Sequence, residues 1–201
     1  MSRAVLVGGA VVLALAAGAA LAFTLGEGED QGADLSQIPA PIVSGLPLPA
    51  LDPTTAADPA VGLSMPEARG VDFELSPVEI VEDGLPKVIL FLAHHCPHCQ
   101  VEVPKVQEWL DGGGRPEGVS FYSVATSIDD LLPNYPPDTW LEREGWTVPV
   151  LVDTENSVAQ AYGLTAFPFW VFVDEDGVVR GRVASELAQE SLTELFSLLL
   201  P

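Results

Sequence analysis

The sequence predicts an α/β domain with a central mixed β-sheet flanked by helices on both faces. Three observations carry this. Short apolar runs of strand length recur at 87–92, 119–125, 150–152, 169–173 and 178–183. Helix-like stretches at 100–110, 154–162 and 188–200 alternate with them. The last two runs flank Asp174-Glu175-Asp176-Gly177, a hairpin turn. Strand–helix alternation demands parallel pairing, whereas a hairpin demands antiparallel pairing, so the sheet is mixed.

The N-terminus stands apart from that pattern. Met1-Ser2-Arg3 precedes about 22 uncharged residues, Ala4 to Leu25. As a helix this run would be ~33 Å long, enough for a hydrocarbon core of ~30 Å. Its length favours a retained membrane anchor. The competing reading is a cleaved signal, with Ala20-Leu21-Ala22 as the small-x-small site. Arg3 before the run and Glu27, Glu29 and Asp30 after it orient the remainder outside the cytoplasm. Residues 26–65 read as a flexible Pro/Gly/Asp-rich linker, punctuated by prolines 39, 41, 47, 49, 53 and 59. The folded domain is expected over 66–201.

Within it, Phe73, Leu75, Val78 and Ile80 suggest a short extended segment. Lys87 to Leu92 is a buried strand by its unbroken apolar run. The next helix carries Val103, Val106 and Leu110 on one face and ends at Asp111-Gly112-Gly113-Gly114. Val119 to Ala125 is the second strand, and a proline-punctuated loop at 131–137 leads to a helix over 138–144 with Asp138 as N-cap. Val150 to Val152 is the third strand; the helix after it closes at Gly163. The terminal helix turns Leu192, Leu195 and Leu199 inward. Trp109, Trp140, Trp146 and Trp170 have spacings that core packing explains.

The chemistry concentrates in His94-His95-Cys96-Pro97-His98-Cys99, which holds both cysteines and all three histidines. A Cys-x-x-Cys between a strand and a helix reads as a redox pair. Eight basic against 29 acidic residues give a net charge of −21, which excludes nucleic acid as a partner. Thiol–disulfide exchange needs an attacking thiolate and a second thiol to resolve the mixed disulfide. Cys96, at the helix start, meets unpaired N–H groups and the positive end of the helix dipole, so it attacks and Cys99 resolves. A hydrogen bond from His98 would also favour the Cys96 thiolate. His95 and Pro97 are expected to tune the pair. His94 and His95 admit three readings: loop histidines facing solvent, a positive rim beside Cys96, or metal ligands together with His98 and the cysteines. No metal or cofactor is assigned.

These elements, in this order around the Cys-x-x-Cys, resemble the thioredoxin fold. The similarity covers about 66–201 and is strongest to membrane-tethered, extracytoplasmic proteins of the TlpA/ResA type. Pro104 lies five residues after Cys99, where thioredoxins carry a helix-kinking proline. Thr165-Ala166-Phe167-Pro168-Phe169 matches the family's cis-proline loop, which implies that Phe167 and Pro168 contact substrate by strand addition. Two departures stand out. His95 replaces the usual tryptophan, and Leu90 stands where thioredoxin and DsbA carry a buried acid. The Pro97-His98 dipeptide is that of DsbA-type oxidases.

The resemblance implies an extracytoplasmic thiol–disulfide oxidoreductase acting on cysteine-containing exported proteins, with a membrane redox partner. The reductase direction is preferred. The alternatives are a DsbA-like disulfide-forming oxidase and, from another class, a copper or zinc carrier built on residues 94–99.

Overall fold

The computed structural model describes residues 32–55 and 57–200. Its frame is a five-stranded sheet in the order β6-β5-β4-β7-β8. β4 (Lys87–Leu92) is central, parallel to β5 (Ser120–Ala125) and antiparallel to β7 (Phe169–Val173). β6 (Val150–Val152) extends the parallel side, and β8 (Val179–Val183) pairs antiparallel with β7. The expected mixed sheet is therefore present. Asp174 closes the β7–β8 turn: its Oδ1 accepts from the N–H groups of Asp176 and Val178.

All six residues of β4 are buried, and strand alternation splits them between two cores. Val88, Leu90 and Leu92 face helices α1 (Pro97–Asp111), α2 (Pro137–Arg143) and α4 (Gln189–Ser197), together with Cys99, Trp109, Trp140, Trp170 and Phe196. Ile89 and Phe91 face the other way, toward α3 (Ser157–Ala161) and a small antiparallel sheet. That sheet is β1 (Ile42–Ser44), β2 (Glu67–Val71) and β3 (Pro77–Ile80). Each large side chain buried in this way contributes ~1.5–3 kcal/mol. Trp109 Nε1 donates to Thr193 Oγ1 at 3.0 Å and joins α1 to α4.

Several local expectations need correction. Residues 32–65 are not a free linker. Ile38, Leu48, Leu51, Ala60 and Met65 are buried, and β1 pairs with β2. The Leu48 and Leu51 N–H groups donate to the Ala161 and Gly163 carbonyls at 2.8 and 3.0 Å. The segment is a strap across the sheet's second face. Gly163, at φ +67°, has room for no Cβ because Pro49 O would lie 2.3 Å from it. Residues 4–25 and 26–31 lie outside the described residues. Among the described residues no helix is long and apolar enough to cross a membrane.

Asp138 is not the N-cap of α2; Pro136 occupies that position, and the Asp138 carboxylate accepts from the Ala33 N–H of the strap. The helix expected over 154–162 is shortened to Ser157–Ala161, because Asn156 takes a left-handed conformation at φ 59°. Leu75 leaves the expected strand pattern for a turn, also at positive φ.

Candidate active site

Cys96 ends the turn after β4 and is the N-cap of α1, with extended backbone angles of −77° and 119°. Its N–H donates to Ala93 O at 3.0 Å, and its carbonyl accepts the first helical bond from Gln100 at 3.1 Å. Pro97 at N1 suits a position whose N–H would have no helical partner. The Cys96 sulfur is partly exposed at the positive end of the α1 dipole. One turn along, Cys99 is fully buried. Burial pushes its thiol far above the usual range, and the neighbouring Cys96 and Glu102 push the same way. Both cysteines are free thiols. One accessible and one buried sulfur suit the two steps of thiol–disulfide exchange, attack by the first and resolution by the second.

The loop before β7 completes the mouth of the site. The Phe167–Pro168 peptide is cis, and Phe167 O lies 3.9 Å from the Cys96 sulfur. Pro168 is buried while Phe167 is half-buried, and it is the Phe167 carbonyl that adjoins the Cys96 thiol.

His94 and His95 pack edge to face with ring centroids 5.1 Å apart, whereas His98 turns away from both toward Glu186. His94 is buried: its Nδ1–H donates to Pro133 O at 2.7 Å, and its Nε2 accepts from the Asp129 N–H at 3.2 Å. Burial lowers its basicity, and the neutral ring satisfies both neighbours. His95 donates through Nε2 to Ser127 O at 3.1 Å. His98 is 70% exposed, and its Nδ1 meets Glu186 Oε1 at 2.7 Å. The side chains thus point to three separate partners. Among the described residues no group of three His, Cys, Asp or Glu converges to hold a metal. The carrier reading finds no converging ligand set among the described residues, and the reading of His94 as a loop histidine facing solvent is corrected.

Glu102 was not legible as a site residue by motif. It is fully buried one turn after Cys99, with Oε1 accepting from the Leu187 N–H at 2.8 Å and Oε2 paired with Lys105. Burial raises its carboxyl above the usual range despite those partners. Leu90 packs among apolar side chains on the Cys99 side of β4. The strand carries no acid at that position, and the buried carboxyl on the Cys99 side belongs to Glu102 of α1. A sequence signal existed: Glu102 falls at i+3 from Cys99, within the inward stripe that includes Val103 and Val106.

A buried carboxylate beside a buried thiol can take the Cys99 proton as that thiol attacks. Glu102→Gln is expected to slow release of a Cys96 mixed disulfide by about a hundred-fold, the lower range for a positioned base. Stopped-flow release measured across pH checks this; an unchanged rate and profile would remove Glu102 from the mechanism. Stability gives a second readout. Folded Glu102 keeps its proton to higher pH than the unfolded chain, whose carboxyl titrates near ~4.3. Native stability therefore falls as pH rises from there through the raised value, and glutamine abolishes that component.

The sequence matches the Redoxin family over residues 60–194, two thirds of the chain. The chain belongs to the Redoxin family. Two relatives, each called thiol-disulfide oxidoreductase ResA, come from Halalkalibacterium halodurans and Geobacillus thermodenitrificans. They are 23% and 26% identical to this Redoxin-family protein, over 73% and 67% of its length and 78% and 75% of theirs. Among solved structures, StoA from Bacillus subtilis aligns with a TM-score of 0.54 at 20% identity, covering 68% of this chain and 98% of StoA. A secreted Mycobacterium tuberculosis disulfide oxidoreductase homologous to E. coli DsbE aligns at 0.55 and 20% identity, covering 65% and 95%. The fold is thioredoxin-like, and this Redoxin-family protein is a thiol–disulfide oxidoreductase.

Proposed function

We propose that the protein is a membrane-anchored, extracytoplasmic reductase of disulfides in exported proteins, resupplied with electrons by a membrane redox partner. The apolar run over 4–25 and the acidic residues after it support the location. The direction rests on one observation, the pairing of His98 with Glu186. An unpaired, protonated histidine beside Cys96 would stabilise the thiolate and make the disulfide more oxidising. Here the carboxylate on the loop before α4 engages that ring and sets a negative charge beside it. The His98 hydrogen bond is the chief reason Glu186 lies below the usual carboxylate range. Glu186 also lies 3.7 Å from Lys105, the partner of Glu102.

The oxidase reading keeps one supporting feature, the Pro97-His98 dipeptide. The reduction potential decides between them, measured on the full chain by equilibration with glutathione buffers and thiol trapping. A value near about −270 mV, as for thioredoxin, is expected; one near about −120 mV, as for DsbA, makes the protein an oxidant. Glu186→Gln releases His98 and is expected to move the potential toward the oxidising end.

A further inference from the structure

The segment from 126 to 136 lies between β5 and α2, and it is held in place from the active site itself. The Thr126 N–H donates to Leu92 O at 3.0 Å and the Ser127 N–H to Asn156 Oδ1 at 2.7 Å. His94, two residues before Cys96, ties both Asp129 and Pro133 through its ring, and its carbonyl accepts from Asn134 Nδ2 at 3.2 Å. Arg143 fixes Asn134 from α2 at 2.9 Å. With the backbone secured in this way, three large side chains still face outward. Leu131 is 88% exposed, Leu132 38% and Tyr135 40%. A neighbouring groove of about 340 Å³ runs between this loop and the strap, lined by Leu35, Ile128, Asp129, Asp130, Tyr135 and Thr154.

We infer that this loop and groove dock the client polypeptide flanking its reactive cysteine, and that they select apolar segments carrying basic residues. The inference rests on the exchange chemistry proposed above and adds the substrate class. Continuity with the site supports it: His94 and His95, which hold the loop at Asp129, Pro133 and Ser127, immediately precede Cys96. Charge supports the basic component. Asp129 and Asp130 are exposed on the loop, which itself includes no lysine or arginine, and the one cation that bonds it, Arg143, is held at Asn134. The same acids disfavour an anionic lipid surface. Rigidity adds to affinity, because a loop already fixed loses little freedom when a client covers it.

The test uses the full chain in its dithiol form and two peptides, each with one cysteine in a mixed disulfide with glutathione. One peptide has leucine and lysine around the cysteine, the other serine and glutamate. In each turnover the peptide–glutathione bond breaks and the Cys96–Cys99 bond forms, and an added small dithiol, whose uncatalysed reduction of each substrate is subtracted, returns the pair to its reduced form. Two electrons pass to the substrate, and the two enzyme thiol protons leave with the peptide and glutathione thiols. Oxidised glutathione serves as a substrate too small to reach the loop.

The leucine–lysine peptide is expected to be favoured about ten-fold in kcat/KM, a preference expressed mainly in KM. Leu131→Ser with Leu132→Ser should erase it, and Asp130→Lys should weaken it, while glutathione turnover stays within about two-fold. Equal use of both peptides by the unmodified protein overturns the inference, as does a preference that survives the leucine replacements. A parallel fall in glutathione turnover also overturns it, since the loop would then act through Cys96. If the unmodified protein reduces none of the three substrates, the exchange reading fails and takes this inference with it.

Discussion

Cys96→Ser is expected to abolish disulfide exchange, and Cys99→Ser to stop it halfway with client covalently held. The asymmetry follows from burial. Cys96 presents its sulfur at the mouth of the site beside Phe167 O, whereas Cys99 is enclosed beneath it. On the proposed exchange chemistry, the Cys96 thiolate attacks a client sulfur, forming the Cys96–client bond while the second client sulfur departs and takes up a proton. Cys99 then attacks the Cys96 sulfur, forming the enzyme disulfide and releasing the client as a dithiol. Without Cys99 the first bond persists. Its raised proton affinity keeps Cys99 from attacking a client prematurely, and Glu102 is placed to relieve that restraint in the second step. Insulin reduction with a thiol donor, read beside non-reducing gels of trapped client, measures both variants. Residual turnover in Cys96→Ser above the uncatalysed rate, or no trapped species with Cys99→Ser, would overturn the assignment.

How much of this was legible in the sequence depended on how local the causes are. β4 and β7 could be read because a strand buried on both faces is an unbroken apolar run. The Cys96/Cys99 pair could be read because the N-cap and the first helical turn lie within the motif. The strap could not. Its buried residues Ile38, Leu48, Leu51, Ala60 and Met65 follow no helical or strand period, and its bonds go to Ala161, Gly163, Gly177 and Val179 far along the chain. Proline-rich composition predicts little burial on average, but a few anchors fixed by distant carbonyls suffice. The partners of His94 and His98 are equally remote, 39 and 88 residues away. Glu102 is the intermediate case: its inward position has a period, but its partners do not.

Arg182 is where the strap should fail first, and Arg182→Ala or Asp58→Ala is expected to cost about 3–5 kcal/mol, the range for breaking one side of a buried ion pair. The Arg182 side chain is fully buried. Its guanidinium donates Nε and Nη2 to the two Asp58 oxygens and Nη1 to both Pro49 O and Tyr162 O. One side chain on β8 thereby holds the strap at two points and the end of α3 at a third. The hydrogen bond from Arg182 keeps Asp58 below the usual carboxylate range, so this stability is present above the unfolded value near ~3.9 and is lost as pH falls through the depressed one. Urea unfolding of the full chain measures the cost. A double-mutant cycle with Asp58→Ala and Arg182→Met should show the pair costing less together than the two changes summed, because neither leaves the other's charge buried alone. A loss under about 1 kcal/mol would mean a pair as weak as a surface one. The consequence reaches the active site through Thr165, whose hydroxyl donates to Leu51 O of the strap at 3.0 Å, two residues before Phe167. A loosened strap should therefore raise KM for protein clients before it changes the rate with oxidised glutathione, since the strap braces the loop a client meets and touches neither cysteine.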